Sequence, residues 1–212
     1  QPILFAFEYA LAQLWQSWGI KPDLVCGHSI GEYVAACLGG AFSLEDGLKL
    51  VTARGKLMGS VTTAGEMHAV FTTEETVKKV INNHSEVAIA AVNTPEQVVI
   101  SGEKGAISAV LNQLHCDGIK TKSLKVSQGF HSPLMNPILE EFRSIASAIE
   151  FSPLTIPLVS NVTGTILETG TILDADYWCQ HLRETVNFSA GMQSLKNWGI
   201  DILLEVGSHP IL

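Results

Sequence analysis

The chain carries little charge: Asp, Glu, Lys and Arg make up 16% of its 212 residues, and aromatic side chains only 7%. That charge is one-sided, with 13 basic residues against 21 acidic ones and a net −8. No basic cluster interrupts the acidic excess, which argues against a nucleic-acid surface. Cysteine is scarce. Cys26, Cys37, Cys116 and Cys179 form no CxxC pair and no Cys/His zinc spacing, so no metal site and no disulfide framework is expected. They read as buried thiols of a reducing compartment, the cytoplasm. No apolar run approaches the roughly 20 residues of a membrane span. The opening Gln1-Pro2-Ile3-Leu4 has none of the charged leader that marks a secretory signal. What remains, 46% hydrophobic, suits an α/β protein with a buried sheet, either one domain or a body with an inserted subdomain.

Apolar residues at Ile3, Leu4, Phe7, Ala10, Leu11, Leu14, Trp15 and Trp18 recur with a helical period, and Gly19 ends that helix. A second helix is expected over Gly31–Leu38, and a third after a Ser43 cap, with Arg54 near its end. The middle changes character. Met67–Phe71, Val87–Val92, Gln97–Ser101 and Ile119–Val126 read as strands, and Thr73–Asn83 and Lys104–His115 as helices. Their order, β-α-β-β-α-β, is that of a ferredoxin-like unit, taken here as an inserted subdomain over 65–127. The body, 1–64 and 128–212, then resumes with a loop at Gly129-Phe130-His131-Ser132-Pro133 and a helix over Met135–Ala148. A strand at Leu158–Asn161, helices at Asp174–Leu182 and Ser189–Trp198, and a last strand at Ile202–Val206 complete it.

Chemistry concentrates at Gly27-His28-Ser29-Ile30-Gly31. A short apolar run precedes it and a helix follows, the context in which a G-x-S-x-G turn exposes a nucleophilic serine. The two glycines are read as permitting the sharp turn. The Ile30 N–H and the positive end of the following helix face a reacting carbonyl there. A serine hydroxyl needs a base. Of His28, His68, His84, His115, His131, His181 and His209, the loop residue His131 is the best placed to reach back. The acids between Ser29 and His131 (Glu96, Glu103 and Asp117 among them) have no supporting motif, so the usual triad is incomplete. Arg54, in an apolar helix, is either a surface arginine or a bidentate clamp on a carboxylate.

Taken together, Gly27-His28-Ser29-Ile30-Gly31-Glu32, Arg54-Gly55-Lys56-Leu57-Met58, Gly129-Phe130-His131-Ser132-Pro133 and Glu205-Val206-Gly207 resemble the malonyl-CoA:acyl carrier protein transacylase family. Phe42-Ser43-Leu44-Glu45-Asp46-Gly47-Leu48 is most similar to the acyltransferase domains of modular polyketide synthases. The resemblance runs the full length of the chain. It implies that Ser29 carries the acyl group, that His131 is general base and then acid, and that Arg54 pairs with the malonyl carboxylate. It also implies a backbone carbonyl in place of the triad acid. Within Thr185-Val186-Asn187-Phe188, the Asn187 carbonyl is the candidate. Asn93 matches a family position near the site.

Ile30 after the serine and Phe130 before the histidine resemble the malonyl-selective pattern, with Phe130 filling the space of an α-methyl group. Gln128 and Gly129 depart from that pattern. The family also has a Gly-Gln-Gly loop before the first helix, whose Gln contributes to the oxyanion hole. This chain begins after that point and ends at Pro210-Ile211-Leu212, so it reads as a piece of a larger domain. The expected fold is an α/β-hydrolase-like body with a mostly parallel sheet plus the ferredoxin-like subdomain, with the active site between them. The implied substrates are malonyl-CoA and a phosphopantetheinyl acyl carrier protein, with no bound cofactor and no metal. The implied partners are that carrier and neighbouring synthase domains, with no nucleic acid or membrane. The alternatives are a stand-alone fatty-acid transacylase of the same chemistry, a serine hydrolase that would not need Arg54, and a non-catalytic docking module.

Overall fold

The structure, a computed structural model, describes residues 1–209. The expected chain end at Pro210-Ile211-Leu212 lies outside the described residues. Helix α1 (Pro2–Ser17) leads through Gly19, at φ +88°, into the short strand β1 (Val25–Cys26), and helices α2 (Ile30–Leu38) and α3 (Leu44–Ser60) follow. The Ser43 hydroxyl accepts the Asp46 N–H and caps α3 as the sequence suggests. In α1 the helical period holds, and only part of its apolar stripe is buried. Phe5 and Ala12 are buried, whereas Ile3, Phe7, Leu14 and Trp18 are exposed.

The β-α-β-β-α-β run is present as β2 (Gly65–Val70), α4 (Glu74–Ile81), β3 (Val87–Thr94), β4 (Gln97–Glu103), α5 (Lys104–Cys116) and β5 (Thr121–Ser123). Every pairing in this sheet is antiparallel, and its order is β3-β4-β2-β5. One face packs Val70, Val87, Ile89, Val98 and Ile100 under α4 and α5, whose inward residues are Val77, Val80, Ile107, Val110 and Leu114. The opposite face meets the body: Met67, Ala90, Ala91 and Val99 pack with Val186 and Phe188.

After β5 the chain enters a 3-10 helix (Pro133–Ile138), α6 (Leu139–Ala146), strands β6 (Leu158–Val159) and β7 (Ile166–Leu167), α7 (Ala175–Arg183) and α8 (Phe188–Trp198). The single helix expected over 135–148 is divided because Pro137 has no N–H for an α-helical bond. The body core gathers α1, α2, α3, α6 and α7 around Phe5, Tyr33, Leu50, Met58, Phe142 and Trp178.

Two expectations for the body are corrected. The described sheet is not mostly parallel. It has three strands, β1-β6-β7, with one parallel pairing (β1 with β6) and one antiparallel pairing (β6 with β7), because the turn at Thr163-Gly164 folds β7 straight back on β6. The segment expected as a last strand, 202–206, joins no sheet among the described residues, and Ile202, Leu203 and Leu204 are exposed. Among the cysteines, Cys37 and Cys179 are buried, but Cys116, at the end of α5, is exposed.

The two glycines of the turn are not equivalent. Neither has a positive φ. A Cβ on Gly27 would lie 2.1 Å from the backbone carbon of Gly31 and 2.2 Å from the Glu32 nitrogen, so Gly27 is there for close approach of strand to helix. A Cβ on Gly31 would meet only the Glu8 carboxylate at 3.9 Å. Gly27→Ala should therefore destabilise by about 3 kcal/mol or more, as overpacking against backbone does. Gly31→Ala should be neutral or stabilising by up to about 1 kcal/mol through helix propensity. Urea unfolding of both variants checks the asymmetry.

Candidate active site

Strand β1 lies beside β6 and delivers the chain into the turn, and α2 begins one residue after Ser29. Ser29 sits at φ 51° and ψ −112°, a region where a non-glycine residue is strained and needs its surroundings to hold it. The Gly31 N–H donates to the His28 carbonyl and the Glu32 N–H to the Ser29 carbonyl, so the helix closes directly onto the turn.

His131, on the loop after the four-stranded sheet, also has a positive φ, 53°. Its Nε2 lies 2.8 Å from Ser29 Oγ, and its Nδ1 lies 3.0 Å from the Glu184 carbonyl oxygen. A carbonyl only accepts, so Nδ1 carries the proton and Nε2 is left as the acceptor for the serine hydroxyl. The orienting carbonyl is that of Glu184 and not of Asn187. Helix α7 ends at Arg183, and Glu184 caps it in an extended conformation, which frees its carbonyl at the negative end of the helix. Residues 185 and 186 are tied to the subdomain sheet. Thr185 Oγ1 donates to the Ile89 carbonyl, and Val186 exchanges backbone hydrogen bonds with β3 at Ala90 and Val92. Asn187 instead ties neighbouring loops together, its side-chain amide donating to the carbonyls of Asn161, Val162 and Thr185.

Arg54 is buried, 3% exposed, which removes the surface reading. Its Nη2 donates to Ser29 Oγ at 3.0 Å, its Nη1 donates to Gln1 Oε1, and its guanidinium carbon stands 5.6 Å above the Tyr33 ring. Among the described residues no carboxylate pairs with it. The Ser29 hydroxyl therefore has a base on one side and a cation on the other.

The remaining candidates divide. Ile30 opens α2, and its N–H, at the first helical position, has no intrahelical acceptor. Phe130 packs between the body core and the sheet interface. Asn93 reaches the elbow through His28, with Oδ1 2.9 Å from His28 Nε2. Gln128 is turned to the end of α3, where its amide donates to the Val61 carbonyl at 2.8 Å. Sequence reasoning missed Glu184, Asn161, Glu32 and Tyr177 as parts of the site's support. Glu32 lies inside the quoted elbow segment, but nothing local marks its role or the other three, because each acts through a tertiary contact or a backbone atom. Among the described residues no group of His, Cys, Asp or Glu side chains is placed to hold a metal ion, and no helix is long and apolar enough to cross a membrane.

Burial holds the His131 pKa well below 6.5, and the nearby Arg54 and His181 lower it further. The imidazole is therefore neutral and ready to accept a proton at pH 7, so the acid limb of kcat/KM should fall well below pH 6.5. The same shift has a stability consequence. The unfolded chain takes up this proton near pH 6.5 while the fold refuses it, so the fold loses stability as pH drops through that window, at up to about 1.4 kcal/mol per pH unit. Urea unfolding at pH 7.5, 6 and 5 should show that slope reduced in His131→Gln.

The same architecture occurs in known proteins. The chain is 45% identical, over 98% of its length, to the Mycoketide-CoA synthase of Mycobacterium tuberculosis, but spans only 5% of that protein. It is 37% identical over its whole length to the PKS-NRPS hybrid synthetase acdB of Aspergillus candidus, of which it spans 9%. Among solved structures, the acyltransferase domain from the second module of the salinomycin polyketide synthase superposes with a TM-score of 0.91 at 43% identity, covering 96% of this chain and 48% of that one. FabD from Acinetobacter baumannii superposes with a TM-score of 0.90 at 31% identity, covering 97% and 68%. The family model described as acyl transferase domain matches residues 1–212, and the chain belongs to that family.

Proposed function

We propose that this chain is the catalytic part of a polyketide synthase acyltransferase that moves a malonyl extender unit from coenzyme A to the phosphopantetheine thiol of an acyl carrier protein, by way of Ser29. The observation that carries this reading is Arg54: a buried guanidinium, 3.0 Å from the nucleophile, with no carboxylate among the described residues to neutralise it. A buried charge without a partner is costly, and a carboxylate brought by the substrate would supply one. Its Nη1 now donates to the neutral Gln1 oxygen, and a carboxylate could accept from both Nη atoms in a bidentate pair. A hydrolase of neutral esters has no use for such a group.

The steps follow from the geometry. Ser29 Oγ attacks the thioester carbonyl as its proton passes to His131 Nε2. Negative charge on the carbonyl oxygen is stabilised by the Ile30 N–H at the positive end of α2. Collapse expels coenzyme A, whose sulfur takes the proton from His131. The carrier thiol then repeats the sequence in reverse, giving its proton to His131 as its sulfur attacks the malonyl-serine ester, and Ser29 regains a proton as it leaves. The Glu184 carbonyl, at the negative end of α7, favours the transient imidazolium. Phe130 beside the catalytic histidine supports malonyl over branched units, a discrimination of roughly 1–3 kcal/mol for one methyl group.

Intact-protein mass spectrometry after incubation with malonyl-CoA, methylmalonyl-CoA or acetyl-CoA tests the reading. A malonyl adduct should form on the wild-type protein and be absent in Ser29→Ala. Arg54→Ala should slow malonylation by roughly 100-fold or more, the scale of losing one partner of a buried ion pair, with little effect on acetylation. An adduct indifferent to Arg54 would sink the carboxylate clamp.

A further inference from the structure

We propose that Asn161 is the positioning residue of the nucleophile elbow, and that the buried carboxylate of Glu32 in turn fixes Asn161. This rests on the reading of Ser29 as nucleophile. The Asn161 carboxamide spans the turn on both sides of His28. Its Oδ1 accepts the Ser29 N–H at 2.7 Å, and its Nδ2 donates to the Gly27 carbonyl at 2.7 Å. Both partners are backbone groups, so the contact acts on the conformation of the chain at Ser29 and not on the hydroxyl. The orientation of the amide is determined by its partners. Rotated by half a turn, it would set a donor against the Ser29 N–H and an acceptor against the Gly27 oxygen.

The placement follows from the sheet. Cys26 on β1 is in register with Val159 on β6, so two residues beyond that pair the chain carries Asn161 past the turn that begins at Gly27. Asn161 is 2% exposed and held from two sides. Its N–H donates to Glu32 Oε2 at 2.7 Å, and its carbonyl accepts the Asn187 N–H at 2.8 Å. Glu32, on the first turn of α2, is completely buried. Its other oxygen accepts from the Tyr177 hydroxyl, which also lies 2.8 Å from Ser160 Oγ, and His181 Nε2 stands 3.6 Å from Oε2. A carboxylate taken fully out of water needs such a set of donors. No step of the acyl transfer uses it, and what it holds is the residue that holds the turn.

The brace has a chemical consequence. The Ser29 N–H is spent on Asn161, which leaves the Ile30 N–H as the elbow's backbone donor for a developing oxyanion. It also supplies the outside restraint that a serine at φ 51° requires.

The test is the rate at which a fluorophosphonate, an electrophile with no carboxylate, labels Ser29, followed by intact mass with Ser29→Ala as the blank. Asn161→Ala should lower the maximal labelling rate by about 100-fold, the scale of a misplaced reacting group, while leaving the half-saturating probe concentration unchanged. Asn161→Asp, which keeps an acceptor for Ser29 but loses the donor to Gly27, should fall between Ala and wild type. If Asn161→Ala does not fold, Asn161→Asp decides. Wild-type labelling rates in the folded variants would overturn the brace and leave the nucleophile standing. No labelling of the wild-type protein would overturn the nucleophile and the brace with it.

Discussion

A serine held in left-handed backbone conformation is the constraint around which this molecule is arranged. At φ 51° Ser29 cannot be kept by local preference. Three separate parts of the chain keep it there: Gly27, whose lack of a Cβ lets α2 close onto the turn; Asn161, which grips the backbone before and after His28; and α2 itself, which starts at the next residue. The strain is local to Ser29, and the short parallel pairing of β1 with β6 is what brings these restraints into one place.

The second half of the site depends on the seam between the two sheets. His131 emerges on the loop that leaves the four-stranded sheet, and the segment carrying Glu184 is fastened to the β3 edge of that same sheet through Thr185 and Val186. His131 and the carbonyl that orients it are thus referenced to one frame, Ser29 to another. Met67, Ala90, Ala91, Val99, Val186 and Phe188 pack the frames together, and the His28–Asn93 hydrogen bond crosses the same seam. The 2.8 Å contact between Ser29 and His131 measures how well those frames are registered. Apolar packing across the seam sets it.

What could be read in the sequence had a local signature. The elbow motif, the Ser43 cap and the β-α-β-β-α-β order are all patterns of neighbouring residues, and each is present in the fold. His131 and Arg54 lie 102 and 25 residues from Ser29 along the chain, and the three could be brought together beforehand only through a resemblance. The errors share a cause. The direction of β7 depends on a turn whose pairing partner is set in three dimensions. Asn187 was three residues from the group that orients His131. The choice between the Glu184 and Asn187 carbonyls depends on where α7 stops and how the next residues dock on β3.

That the group orienting His131 is a peptide oxygen changes what variation can reveal. Every residue type offers the same main-chain carbonyl, so exchange of the Glu184 side chain leaves the oxygen facing His131 Nδ1 in place. The group is inherited through the shape of the segment and not through any codon's choice of side chain. A scan of side chains would pass over this part of the site. Drift at position 184 can therefore proceed freely as long as α7 ends where it does and the chain beyond it stays laced to β3.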